Sequence, residues 1–540
     1  NKDNGVAPPM QLNRPESLWI LKNPEIQNCE NCHFMPQGNG TDQNALADER
    51  YYFKNVLNRR KNYKVIPEVY GLEPLIDGYV PFYDSYIHNL EEKDNLSLIN
   101  MQYKKLEEDE RKGIHIFLEQ VFLYAVEEAA EAGGEYFQLR FLHSEKGENN
   151  EFGELKNLMT DAFQKVLARA GAKNKGGTFV ECIPESKALA YSVLKSVKVR
   201  NIEDLKGAFK EEIHIGVDIG CGKTVTALWV PSGEAYKYRY AEISFGGRNI
   251  SFLDPGISFK QYKNILNVFL SEPYEMNLDT ENKKLLEKFS CYYDSNNTEG
   301  EYYENLFDII AMKIEKGGFC VSPDIFNKKD EFRIFLKMMT YNFYLLFFQI
   351  GILIGTCYKE KLKDKKKVTL HLSGNGAKFL RWILNYKKFK TEIRKDNYAE
   401  MFIVPVKKTI LDVMAEAAQL CTQENNDSIQ YSIKMEGNPK TKLLEGYMFL
   451  EHEVKTEFPD LSADDMDNFE VPISKQELME KIAQIHINIF GEELGNQPNY
   501  STDKMNFTDV NAAVSNNSFK VCQKYTEEIE NMSPQKNSTI

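Results

Sequence analysis

Ile213-His-Ile-Gly-Val-Asp-Ile-Gly-Cys-Gly-Lys-Thr-Val-Thr-Ala-Leu-Trp-Val230 is the stretch from which the rest of the chain becomes readable. Ile213, Ile215, Val217 and Ile219 alternate strictly, the period of a half-buried strand. Asp218 falls on the other face, at the strand's end. Gly220-Cys221-Gly222 permits a tight turn whose N–H groups can point at a phosphate. Val225–Val230 are again strand formers, and Pro231-Ser-Gly233 closes the next turn. Two other readings compete. Gly222-Lys223-Thr224 looks like the end of a P-loop, but the first glycine of that motif would fall at Val217, and a P-loop must open a helix. An ordinary hairpin with a solvated aspartate is the plainer alternative.

Bulk properties set limits. A chain of 540 residues is too long for one simple core and predicts two or three domains. Its 42% apolar and 27% charged residues are globular values. A net charge of −13 argues against a nucleic-acid or anionic-membrane binder, while leaving room for a local anion site. Asn1–Met10 is polar and has no signal-peptide pattern, and Phe343–Tyr358 falls short of the roughly twenty residues that span a bilayer. That run reads as a buried core helix. The nine scattered cysteines fit reduced thiols, and a cytoplasmic location is expected. Cys29-Glu-Asn-Cys32-His33 matches a haem-attachment pattern and half a zinc site. With no export signal and no second such pair, it reads as loop thiols.

Periodicity predicts helices over 112–133, 151–170, 186–194, 440–451 and 474–490. It predicts strands over 136–142, 178–183, 368–372 and 431–435, and a three-strand meander over 213–245. Residues 257–365 read as largely helical. Val368–Leu372 runs into Ser373-Gly-Asn-Gly376 and then a helix, a second place suited to a phosphate or nucleotide. The last forty or so residues read as loosely ordered.

The order of these elements resembles the actin-like ATPase superfamily, and within it the nucleotide-binding domain of DnaK-type heat-shock chaperones. Phe179–Tyr191, opening a helix with Glu185, is similar to the family's first connecting motif. Asp218–Thr224 resembles its second phosphate motif, and Phe245-Gly246-Gly247-Arg248 its Gly-Gly turn. Leu372–Lys378 resembles the adenosine motif, and Asn438–Gly446 the second connecting motif. Phe53-Lys54 matches the region of the catalytic lysine. The likeness covers about residues 50–450.

The resemblance implies a two-lobed α/β fold, ribonuclease H-like in each lobe. Lobe one would span 1–205 and lobe two 206–452, with a helical insertion near 250–365 and an extension over 453–540. It implies ATP or ADP with Mg2+ in a cleft between the lobes. Asp218 would hold the metal through water, Glu185 would orient the attacking water, and Lys54 would neutralise phosphate charge. Gly220, Cys221, Gly222, Lys223, Thr224, Gly246 and Gly247 would surround the phosphates. Gly374, Asn375, Gly376 and Lys378 would take the nucleoside.

The sequence departs from the family in four places. No first phosphate hairpin occurs in residues 1–50, Lys223 replaces a hydroxyl residue, Lys378 stands where an arginine is common, and too little chain follows 450 for a peptide-binding domain. The expectation is therefore a nucleotide-driven switch with an unidentified protein partner or self-association, and no nucleic-acid or membrane partner. A filament-forming actin-like protein, a non-hydrolysing scaffold and a small-molecule kinase are its rivals.

Overall fold

The computed structural model describes 19–21, 79–81, 118, 122, 136–137, 139–143, 149–170, 173–174, 181–220, 222–232, 235–251, 330–359, 361–383, 403–422, 429–435, 442–454, 458, 463–494 and 503–532. The chain divides into two compact units. One comprises Asn1–Pro184 with Thr280–Asn305, the other Glu185–Asp279 with Leu306–Ile540.

In the first unit, β1 (Tyr136–Phe137) pairs in parallel with β3 (Lys173–Asn174), and β2 (Arg140–His143) with β4 (Glu181–Pro184). Parallel neighbours need a crossover, which α1 (Asn149–Ala170) supplies. Its Ala162, Phe163, Val166 and Leu167 are buried, with the Phe122 ring set edge-on to Phe163 at 5.6 Å. The single strand expected over 136–142 is two pieces because its partner changes between Phe137 and Arg140.

The second unit is built on a six-stranded mixed sheet. Its meander is β5 (Glu212–Ile219), β6 (Thr224–Ser232) and β7 (Ala235–Ile243), all antiparallel. On the β5 side, β8 (Lys367–Ser373) and then β9 (Gln430–Lys434) add in parallel. On the β7 side, β10 (Ala463–Asp465) adds in parallel. The order is β9-β8-β5-β6-β7-β10. Thr224 opens a strand paired with Ile219, not a helix, so the P-loop alternative is excluded.

β5 is buried on both faces, not one. The residues between its isoleucines include Gly216, and helix α2 (Glu185–Ser196) covers them. A side chain at Gly216 would lie 2.7 Å from Leu189 Cγ. Leu189, Tyr191 and Val193 of α2 pack with Val225, Ala227 and Trp229 of β6 and with Phe449 of α7 (Lys442–Phe449). Trp229 donates its indole N–H to the Ala190 carbonyl at 3.0 Å, so its burial leaves no unpaired donor. α2 and α7 cross with their backbones nearly touching at Gly446, where a Cβ would lie 2.0 Å from the Ala188 carbonyl oxygen.

Helix α5 (Asp330–Cys357) is the spine of the unit. It is long and apolar enough to cross a bilayer, yet residues 338–355 are all buried inside protein, as a core helix requires. It packs on α6 (Ile410–Thr422) through Gly351 and Gly355, whose missing side chains make room for Met414 and Ala418. Beyond β11 (Glu470–Ser474), α8 (Lys475–Phe490) begins at a capping box of Ser474 and Glu477 and ends at the left-handed Gly491.

After β12 (Lys504–Asn506), the segment expected to be loosely ordered forms α9 (Phe507–Met532), a long helix against α5. Its composition is polar, but Val510, Val514, Val521, Tyr525 and Ile529 make one buried stripe. Mean polarity conceals an amphipathic helix; periodicity reveals it.

Candidate functional site

The site lies where two parallel strands end side by side. Ser373, last in β8, is paired with Asp218 near the end of β5. The chain leaves β5 through a closed connection, Gly220 N–H donating to the Lys223 carbonyl at 2.9 Å, and returns as β6. It leaves β8 through Gly374, whose φ of +84° is left-handed. A 3-10 turn, Asn375–Phe379, follows.

The two glycine loops are in contact. A Cβ at Gly374 would lie 2.2 Å from the Ile219 carbonyl oxygen, and one at Gly376 2.5 Å from Ile219 Cγ2 and 2.9 Å from the Gly220 oxygen. No side chain fits at either position, so glycine is what lets one loop sit on the other. Nearby, Gly247 N–H donates to the Gly220 carbonyl at 2.8 Å, Gly246 N–H to Asn249 Oδ1 at 2.9 Å, and Thr224 Oγ1 to the Phe245 carbonyl at 2.7 Å.

Asp218 is partly exposed as a residue, and its carboxylate accepts a 2.6 Å hydrogen bond from Ser373 Oγ of β8. Desolvation dominates its acidity, with the Glu185 charge acting the same way. The Ser373 bond and the Lys223 ammonium oppose them, and the net result lifts the carboxyl from 3.8 to about 6. Lys223 Nζ stands 2.8 Å from Glu185 Oε2 and 3.2 Å from Glu242 Oε1, with only 12% of its side chain exposed. Glu185 opens α2 and Glu242 lies on β7, so this ammonium ties a helix start to the sheet.

Asp218, Glu185, Lys223, Thr224, Gly220, Gly222, Gly246, Gly247, Gly374 and Gly376 are therefore neighbours within one unit. Their geometry refines several expected roles. Lys223 is held by two carboxylates rather than extended for a ligand. Gly246 and Gly247 spend their N–H groups internally and brace the turn. Thr224 Oγ1 is turned to the Phe245 carbonyl. Cys221 and Lys54 lie outside the described residues. Asn375 and Lys378 are placed by their backbones on the 3-10 turn.

Two contributors went unassigned from sequence. Glu242 is an acid between Ala241 and Ile243 in an otherwise apolar strand end, which was its signal. Ser373 sits in the quoted Leu372–Lys378 motif, but its bond to Asp218 needs the β5–β8 register. His214 of β5 and His371 of β8 face one another at 3.3 Å. Burial holds them at about 4 and about 3, against the Glu212 charge at His214 and with the help of His214 and nearby lysines at His371, so both are neutral.

Among the described residues, no group of three histidine, cysteine or acidic side chains converges for direct metal ligation. Two carboxylates hold the one Lys223 ammonium, with Asp218 close by. With no such triad among the described residues, a divalent cation near Asp218 would be held through its water shell.

No protein-family model matches the chain. No curated protein matches it either. Among solved structures it is similar to the Aquifex aeolicus PPX-GPPA enzyme, at 12% identity and a TM-score of 0.20, over 66% of this chain and 86% of that one. The site stands on its own geometry.

Proposed function

We propose that this chain binds a purine nucleotide with magnesium through the two glycine loops of its second unit, and turns it over slowly as an ATPase switch of the actin-like type. The observation that carries this is the Gly374–Gly376 loop seated on Ile219–Gly220 beside the desolvated Asp218. Ligands of open α/β sheets collect outside the carboxyl ends of parallel strands, where this pair of loops sits. A three-strand meander flanked by two parallel strands is also the sheet of a ribonuclease H-like lobe, in keeping with the sequence resemblance. In this reading the second unit is one lobe of such an ATPase and the N-terminal unit the other. The heat-shock-chaperone likeness is part of the same proposal.

Within that reading Asp218 holds the metal's water shell, and the metal when bound neutralises phosphate charge. Glu185, fixed by Lys223, would orient the attacking water. Gly374 and Gly376, by letting their loop sit on Ile219–Gly220, would hold the two turns together as one cradle for a ribose or phosphate. Titration calorimetry with ATP and ADP, with and without Mg2+, tests this. The wild-type chain is expected to bind Mg-nucleotide, and Asp218→Ala to weaken it at least about tenfold, the loss of one charge-assisted contact. Equal isotherms for the two proteins, or none for either, would remove the proposal.

A non-hydrolysing binder is the second reading, favoured by the ion pair that draws Glu185 toward Lys223. It is selected if nucleotide binds but phosphate release matches that of Asp218→Ala.

A further inference from the structure

We infer that the C-terminal helix α9 positions the glycine turn of the candidate site through a hydrogen-bonded bridge centred on Asn342. Asn342 lies in the middle of α5, between Tyr341 and Phe343, and is fully buried. An amide there is costly unless both its ends are satisfied. Both are, and they point in opposite directions along the molecule. Its Oδ1 accepts from Ser518 Oγ of α9 at 2.8 Å. Its Nδ2 donates to the Asn249 carbonyl at 2.5 Å. Asn249 in turn accepts the Gly246 N–H on its side chain, and the adjacent Gly247 N–H donates to the carbonyl of Gly220.

The bridge thus runs from a helix near the chain's end, through the core helix, to the carbonyl of the first site glycine. Four hydrogen bonds make it, joined through Asn249 itself and through the Gly246–Gly247 peptide. Asn249 belongs to α4 (Gly247–Ser251), a single turn too short to hold its own place. α4 contacts both α5 and the 3-10 turn Asn375–Phe379, so it lies between the bridge and the second glycine loop. Ser518 and Asn342 are positioning residues: they touch no proposed ligand and act through the Gly246-Gly247 turn. The part of this inference that concerns ligand affinity rests on the nucleotide reading above; the part that concerns the turn does not.

The test uses the full chain in three forms: wild type, Ser518→Ala and Ser518→Thr. Two readings are taken, amide hydrogen exchange resolved to segments and calorimetric affinity for Mg-ADP. Ser518→Ala cuts the α9 end of the bridge and leaves the Asn342–Asn249 bond in place. Exchange at 246–250 and 219–222 is expected to quicken about three- to tenfold, the range set by one net hydrogen bond, with affinity falling by a similar factor. Ser518→Thr, which keeps the hydroxyl, is expected to restore both.

Unchanged exchange at 246–250 in Ser518→Ala overturns the inference. So does a change confined to α9 and α5, which marks Ser518 as a local packing residue. If wild type binds no Mg-ADP, the nucleotide reading fails alone, and the exchange data still decide whether α9 governs the turn.

Discussion

At the scale of single residues, Gly374 and Asp218 carry the most. Gly374 combines a left-handed φ with a Cβ position 2.2 Å from a carbonyl oxygen. Strain and overlap together predict that Gly374→Ala loses about 2–4 kcal/mol of stability, read by chemical denaturation. Asp218 predicts a pH effect of definite sign. Its folded carboxyl holds a proton to about 6, against 3.8 when unfolded, so the folded state binds more protons between those values. Stability therefore falls as pH rises through that window. Asp218→Asn removes the penalty and is expected to exceed wild type by about 1–3 kcal/mol at pH 7.5, the gain vanishing near pH 4. A gain that persists at pH 4 would mean that the carboxylate is not the cause. The glycines of this site were legible in the sequence, since they punctuate strand patterns. The bond of Ser373 to Asp218 was not, because residues 155 positions apart meet only through sheet register, and Glu242 showed only as an acid in an apolar strand end.

At the scale of elements, the meander, β8, β9, α2 and α8 announce themselves through period, Gly-Pro turns and caps. α9 does not, since its mean polarity masks a stripe that only α5 explains. Two predictions belong here. Gly446→Val pushes two methyl groups into the α2 backbone, and should cost about 2–3 kcal/mol or splay α7 from α2. The loss should appear in the exchange rates of both helices and spare α8. Ser474→Ala removes a capping box whose hydroxyl accepts the Glu477 N–H at 3.3 Å, and Glu477 answers by accepting the Ser474 N–H at 2.8 Å. About 1 kcal/mol of stability should go with it, seen as fraying at the start of α8. No change in exchange there would show the cap to be idle.

At the scale of the whole molecule, the described residues from 463 onward are integral to the second unit. β10 joins the sheet, and α8 and α9 cover α5. A chain ending at Asn506 would expose the face of α5 that α9 covers, and is expected to aggregate on expression. A monodisperse, soluble product by light scattering would contradict this. Composition pointed instead to loose order over the last forty or so residues, because averaged polarity cannot register which of them face inward.

The sheet's outer margin has a consequence of its own. β10 is only three residues long, and Asp464 fastens it to Lys237 and Arg239 of β7 by two partly exposed ion pairs. Such pairs weaken in concentrated electrolyte. High ionic strength should thus quicken amide exchange along Ala463–Asp465 and its partners Tyr238–Tyr240, while the Met466 N–H on the Tyr240 carbonyl keeps the margin in place.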